Sequence, residues 1–387
     1  MQLVKWLFLI AYTLAPTAWA TPYVPKDDAA VLERLPVRRD APAMVELRQL
    51  RAAAASRPDD ASAAAALAKR FFELANAEGD PRYIGYGEAA IARWNGTDAP
   101  ADIRYVRGLL LQYRHDFDPA LLEFAAALEK DPEHFGARAW RAAIFMVRAN
   151  YPAAAAECAA LPADPNDLYV IGCGAYVEAT IGHTRAAYAR LSDALRAQPD
   201  AEPQIRLWAL TRLAEMSWRL DDAAAAERHF RQAFDLNIED NFLLAAYADF
   251  LLDQGRPKEV VTLLKQWERS DTLLLRLAMA EKRLGMRAAA AHIQALGDRF
   301  AAAALRGERL HMGEEARYLL DLKGEPKKAL AVALDNWKDQ REPRDAMVVL
   351  DAAKAAGDRP AAAPVLQWLQ ETGFENRRMR EVASTLK

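Results

Sequence analysis

Apolar and polar positions along this chain alternate in a long-period pattern. Between about residues 60 and 370, helix-spaced hydrophobic runs are punctuated by short polar turns, and small residues return at regular intervals. Within the stretch Ala101–Pro132, Gly108, Ala120, Phe124, Ala127 and Pro132 form one set of landmarks, with offsets of twelve, sixteen, nineteen and twenty-four from Gly108. The spacing repeats at Ala142/Ala154/Cys158/Leu161, Ala175/Ala187/Leu191/Ala194 and Ala214/Ala226/Phe230/Ala233. Weaker copies follow at Ala248/Val260/Leu264/Trp267, Ala278/Ala290/Gln294/Gly297, Arg317/Ala329/Ala333/Asn336 and Leu350/Ala362/Leu366/Leu369. An upstream copy fits at Ala75/Gly87/Ile91/Trp94. Across these nine units, fifteen of the eighteen leading positions are Ala or Gly, although the two types make up only about a quarter of the chain.

A physical reason for the spacing is local. Two antiparallel helices approach to ~8–10 Å only where the contact residues are small. Bulky residues later on the second helix, such as Phe124 and Phe230, then fill the gap to the next pair. Gly182, Gly255, Gly285, Gly324 and Gly357 fall at the expected inner turns, where a left-handed residue ends a helix without a Cβ penalty. Pro81, Pro257, Pro326 and Pro360 then open the second helix, where a missing N–H costs nothing. The pattern resembles the tetratricopeptide repeat, a helix–turn–helix unit of ~34 residues, over about four-fifths of the chain. The resemblance implies an all-α fold, an α–α superhelix of eight or nine helix–turn–helix repeats. The expected organisation is a superhelical domain at 46–372 and a polar capping helix at 373–387. The sixth-to-seventh spacing is short and the seventh-to-eighth is long.

Composition sharpens this reading. Alanine accounts for 83 of 387 residues, which favours helix because it loses no side-chain entropy there. Lys+Arg 51 against Asp+Glu 54 leaves a net charge of -3, with no basic excess to displace counterions from a nucleic acid. At the N-terminus, Lys5, the apolar run Trp6–Ala15 and Ala18-Trp19-Ala20 form the three-part pattern of a secretory signal peptide, residues 1–20, cut before Thr21. The apolar core is half the ~20 residues a bilayer span needs, and no later segment is long and uncharged enough to cross. The expected location is the periplasm of a Gram-negative bacterium. Pro22, Pro25, Pro36 and Pro42 mark residues 21–45 as an extended lead-in, with one short helix around Ala29–Leu35.

Catalytic chemistry is sparse. The six Ser residues include none in Gly-x-Ser-x-Gly, and no phosphate-cradling Gly-x-x-x-x-Gly-Lys-Ser/Thr is present. Gly172-Cys173-Gly174 lacks the third glycine of a dinucleotide loop and reads as helix packing. Six His residues include no i, i+4 pair, so no metal site and no cofactor is expected. Glu314-Glu315 near His311 reads as a solvated face, since helical neighbours diverge by about 100°. Cys158 and Cys173 lie on packing elements of adjacent units, either as a disulfide or as two buried thiols.

In tetratricopeptide proteins the first helix of each pair lines the concave groove. Carried over by position, the resemblance implies a partner-binding surface that includes Tyr105, Gln112, Tyr113, Tyr176, Trp208, Trp218, Arg219, Asp249, Lys282, Tyr318 and Asp351. Its occupant would be a protein or peptide. The expected function is a non-catalytic interaction scaffold of the cell envelope. The alternatives are an accessory factor of envelope assembly or of polysaccharide or outer-membrane protein export, and a solenoid enzyme acting on peptidoglycan. Gly79–Tyr83 and Trp337–Pro343 resemble segments of exported bacterial repeat proteins.

Overall fold

A computed structural model describes Asp27 and residues 42–164, 166–307 and 311–386. The chain divides into two units, residues 1–48 and 49–387. The signal peptide and most of the lead-in, including the short helix near Ala29–Leu35, lie outside the described residues. Helix α1 (Pro42–Ser56) starts inside the stretch expected to be extended, with Pro42 in its first turn, where a proline is tolerated.

Residues 49–387 are all-helical where described. Nine helical hairpins follow α1. The first three are α2 (Ala61–Glu78) with α3 (Arg82–Ile91), α4 (Ala101–Tyr113) with α5 (Phe117–Lys130), and α6 (Phe135–Val147) with α7 (Tyr151–Ala159). The middle three pair α8 (Leu168–Thr180) with α9 (Thr184–Ala197), α10 (Pro203–Arg219) with α11 (Ala223–Phe234), and α12 (Asn241–Asp253) with α13 (Pro257–Leu264). The last three pair α14 (Asp271–Arg283) with α15 (Ala288–Leu305), α16 (Met312–Arg317) with α17 (Pro326–Trp337), and α18 (Pro343–Ala356) with α19 (Ala363–Thr372). Helix α20 (Arg377–Ser384) ends the array and packs on α18. Each hairpin stacks on the next, which makes an α–α superhelix of tetratricopeptide type.

The paired small residues sit where the two helices of a hairpin touch. Ala120, Ala154, Ala175, Ala187, Ala214 and Ala226 are all fully buried. Phe124 and Phe230, also fully buried, fill the joints between hairpins; a buried Phe is worth about 1.5–3 kcal/mol over an exposed one. Gly172 belongs to this packing, because a methyl there would overlap the Trp208 indole of the next hairpin. The irregular spacings also have a cause: α13 has only 8 residues and α15 has 18. The register in α15 is corrected by one residue. Ala289, Leu296 and Phe300 are buried, whereas Ala290 and Gln294 face solvent. Likewise Val365 and Trp368, rather than Leu366 and Leu369, anchor the last hairpin.

Every inner turn carries one left-handed residue: Gly79, His115, Ala149, Gly182, Asp221, Gly255, Gly285, Gly324 and Gly357. The last four turns are open, since nothing lies within 4 Å of a Cβ added there. Substituting Gly285→Ala should therefore cost about 1–2 kcal/mol from backbone strain alone, measured by urea unfolding. The first five turns behave differently, because they face distant parts of the same unit. A Cβ on Gly79 would come within 2.9 Å of Ser270 Oγ, at the start of α14. Gln340 Nε2 donates to His115 Nδ1 (2.9 Å), and Arg341 N donates to Val147 O (2.7 Å). Ala149 packs on the apolar core of the last two hairpins, and Gly182 abuts the carbonyls of Thr372 and Gly373. Asp221 pairs with Arg377.

These contacts form a continuous seam. The edge made by the first five turns meets the loops of the last third, so the coil returns on itself. Buried links reinforce it: Trp368 Nε1 donates to Tyr151 OH (2.8 Å), and Thr184 N donates to Glu375 Oε2 (2.8 Å). Arg219 donates to Ala179 O, to Thr184 Oγ1 (2.9 Å) and to Glu375 O (3.3 Å). Its guanidinium lies over the Phe374 ring at 4.1 Å. The Trp337–Pro343 stretch is the middle of this seam.

Cys158 on α7 and Cys173 on α8 form a disulfide, with Cα atoms 5.6 Å apart. It ties the third hairpin to the fourth across a sequence separation of 15. A closed loop of that length is worth about 3 kcal/mol. The Cys158→Ser/Cys173→Ser variant should lose about that amount in urea unfolding, and reductant should destabilise the parent chain to the same level.

Candidate functional site

Closure of the coil turns the concave face into a chamber of about 1500 Å³. First helices of successive hairpins supply most of its wall, with α20, the inner turns at Gly79, His115 and Asp221, and loops that precede several first helices supplying the remainder. Of the eleven residues expected in the groove, Gln112, Tyr113, Tyr176, Trp208, Trp218, Arg219, Asp249 and Asp351 line it. Tyr105, Lys282 and Tyr318 lie elsewhere. Tyr105 is wedged between Phe124 and His134 and over Gly136, inside the joint of two hairpins. Tyr318 is buried against Phe300 and over Gly297. Lys282 caps a widened helical turn, donating to Asp321 O (2.8 Å) and Leu322 O (2.9 Å). All three are thus taken up by packing and hydrogen bonds within and between hairpins instead of facing the shared space.

Ion pairs that the sequence did not single out dominate the chamber. Arg212 stands between the rings of Tyr176 and Phe242, at 4.6 and 4.5 Å, and pairs with Glu215 at 2.8 Å. Burial pushes the Glu215 carboxyl up, against the pull of Arg212. Asp249 on α12 accepts from Arg276 on α14 (2.6 Å) and from Arg317 on α16 (2.8 Å), so one carboxylate ties three successive hairpins. Burial alone would raise its pKa, but the two guanidinia overcome that and hold it at about 2. At the rim, Arg378 bridges Asp253 (3.2 Å) and Asp351 (3.1 Å).

A second cluster lies where the seam meets the chamber. Asn336 Nδ2 donates to Asp345 Oδ1 (3.0 Å), and Glu342 N donates to Asp345 Oδ2 (3.2 Å), closing a capping box on α18. Gln340 bridges Asn336 Oδ1 (3.0 Å) and His115. Burial keeps His115 neutral, with its pKa lowered to about 4, as an acceptor of that bond requires. Glu314 faces this cluster. The expectation of a solvated face is corrected for Glu314, which lines the chamber and stays ionised beside Arg344, His311 and Arg276 despite burial.

Burial raises the Asp345 carboxyl to about 8, with Arg344 opposing and Glu342 and Glu314 reinforcing. An unfolded Asp ionises near 3.9, so between about pH 4 and 8 the folded chain holds a proton that the unfolded chain has released. Stability should therefore fall as pH rises through this window. Below about pH 6.5 the neutral His115 opposes this trend, since the unfolded imidazole takes up a proton there. Thermal melts from pH 7 to 8 should therefore show the decline, and Asp345→Asn should flatten it.

No family model matches the sequence, and no curated protein does. Among solved structures, the chain is similar to the TPR domain of P58(IPK), at 15% identity over 89% of this chain and 92% of that one, with a TM-score of 0.21. It is similar to the APC/C hetero-tetramer Cut9-Hcn1, at 12% identity over 90% of each chain, with a TM-score of 0.30. It is also similar to Naa15/Naa10 bound to HypK-THB, at 13% identity over 89% of this chain and 63% of that one, with a TM-score of 0.25. Superpositions at this level fix no residue correspondence, and the assignment rests on the nine hairpins themselves. The fold is that of a tetratricopeptide-repeat protein. Among the described residues, no helix is long and apolar enough to cross a membrane.

Proposed function

We propose that residues 49–387 form a non-catalytic scaffold of the bacterial cell envelope that receives a protein or peptide segment on its concave face. The chamber carries this reading, because successive first helices present aromatic and charged side chains to one shared space. Tyr113, Tyr176, Trp208 and Trp218 there offer large contact area with few rotatable bonds, the composition of binding hot spots. The carboxylates are mostly committed to structural ion pairs, as Asp249, Glu215 and Glu342 are to arginines, which favours binding over proton transfer. The Cys158–Cys173 disulfide favours an oxidising compartment, in keeping with export directed by residues 1–20. Exported protein should begin at Thr21 by mass spectrometry.

A photo-crosslinking residue at Trp208, in the chamber, is compared in living cells with one at Leu122, which is 72% exposed. Protein adducts of defined mass at position 208 and none at 122 are expected. Adducts at 122 alone would move binding off the concave face.

A further inference from the structure

The chamber has a sign. Its described lining holds fifteen acidic side chains against nine arginines and no lysine; with Asp345 protonated the formal charge is -5, while the whole 387-residue chain carries only -3. Negative charge is thus gathered onto one concave surface with low-dielectric walls, where field lines focus and cations concentrate. Most of these carboxylates are paired internally, but Glu202, Glu239 and Glu314 line the chamber without a side-chain ion pair among the described residues.

The chain also shows twice how this surface holds a guanidinium. Arg212 is clasped between the rings of Tyr176 and Phe242 with Glu215 at its edge, a cation–π sandwich closed by a carboxylate. At the rim, the Arg377-Arg378 pair of α20 reaches Asp221, Asp253 and Asp351 from three different hairpins. Arg377 and Arg378 are exposed side chains, and exposed ion pairs of this kind are worth only about 0–1 kcal/mol. Another arginine-bearing segment can therefore exchange with them at small cost.

We infer that the chamber accepts an extended peptide segment carrying arginine or lysine side chains, drawn in by the unpaired carboxylates and seated on the aromatic faces. This rests on the scaffold reading above and adds the partner's chemistry to it. Neutral oligosaccharides and acidic peptides are disfavoured: the former gain nothing from the field, and the latter are repelled by it.

The test uses the full mature chain and three fluorescent probes of similar size: a Gly/Ser peptide bearing four arginines, its four-glutamate counterpart, and a neutral oligosaccharide. Binding is read by anisotropy at two salt concentrations. The parent is compared with Glu202→Gln/Glu239→Gln/Glu314→Gln and with a charge-matched surface control, Glu129→Gln/Asp200→Asn/Glu371→Gln, after circular dichroism has shown that all three fold alike. The arginine probe should bind, weaken with salt, and lose roughly tenfold in affinity in the chamber variant but not in the control. Equal losses in both variants, or none in either, would reduce the effect to bulk attraction and overturn the inference. Preference for the glutamate probe or the oligosaccharide, still sensitive to the chamber variant, would overturn the charge assignment while leaving the scaffold reading intact. Binding of none of the three probes overturns the inference, and absence of chamber adducts in the crosslinking experiment would remove the scaffold reading as well.

Discussion

Replacing Phe230 by Ala is expected to cost about 3–5 kcal/mol, with the damage confined to one joint of the array. Phe230 on α11 is fully buried and meets Tyr247 and Phe250 of α12, at ring separations of 5.1 and 5.5 Å. These rings join the fifth hairpin to the sixth. In a stacked array each unit contacts mainly its neighbours, so lost contacts weaken the local interface before the whole. Hydrogen exchange should therefore accelerate first in α11 and α12, while α4 and α5 keep their protection. A total loss below 1 kcal/mol in urea unfolding would show that the joint is held by something other than this ring cluster.

Asp249→Ala should be comparably damaging, for an electrostatic reason. Arg276 is only 2% exposed and would lose the carboxylate that compensates its charge, and Arg317 would lose the same partner. Breaking a buried pair from one side typically costs about 3–5 kcal/mol. The pH dependence has a definite sign. The folded pKa of about 2 lies below the unfolded value, so the stabilisation is fully present above about pH 4 and drains away as pH falls toward 2. A parent chain titrated from pH 5 to 2 should lose this contribution, and the Ala variant should have none to lose. The double variant Asp249→Leu/Arg276→Met should recover part of the deficit, since it removes the desolvation penalties of that pair but leaves Arg317 without its nearer carboxylate.

Local geometry was readable and long-range geometry was not. Alternating Ala and Gly positions such as Ala142 with Ala154 mark the hairpins because helix proximity depends on side-chain size at those positions alone. Turn glycines such as Gly255 and Gly285 announce themselves for the same reason. His115, Ala149 and Asp221 do not, because each holds a left-handed conformation that glycine would adopt more easily. Their turns lie at the seam, where Gln340, the last apolar core and Arg377 make contacts that a bare turn lacks. Small per-repeat rotations accumulate into closure, and no single residue encodes their sum. Arg212, Arg276 and Arg317 escape notice for a nearer reason: their partners, Tyr176 and Phe242 for the first and Asp249 for the other two, lie on nearby hairpins whose mutual orientation the repeat spacing does not specify.

The seam itself is open to direct measurement. Spin labels at Asp116→Cys and Asp339→Cys, exposed positions beside His115 and Gln340, report across it, while the native cysteines stay paired. Pulsed dipolar spectroscopy should return one short, narrow distance, as a coil closed on its own edge requires. A long or broad distribution, with the two labels separated by the gap of an open spiral, would contradict closure and with it the chamber.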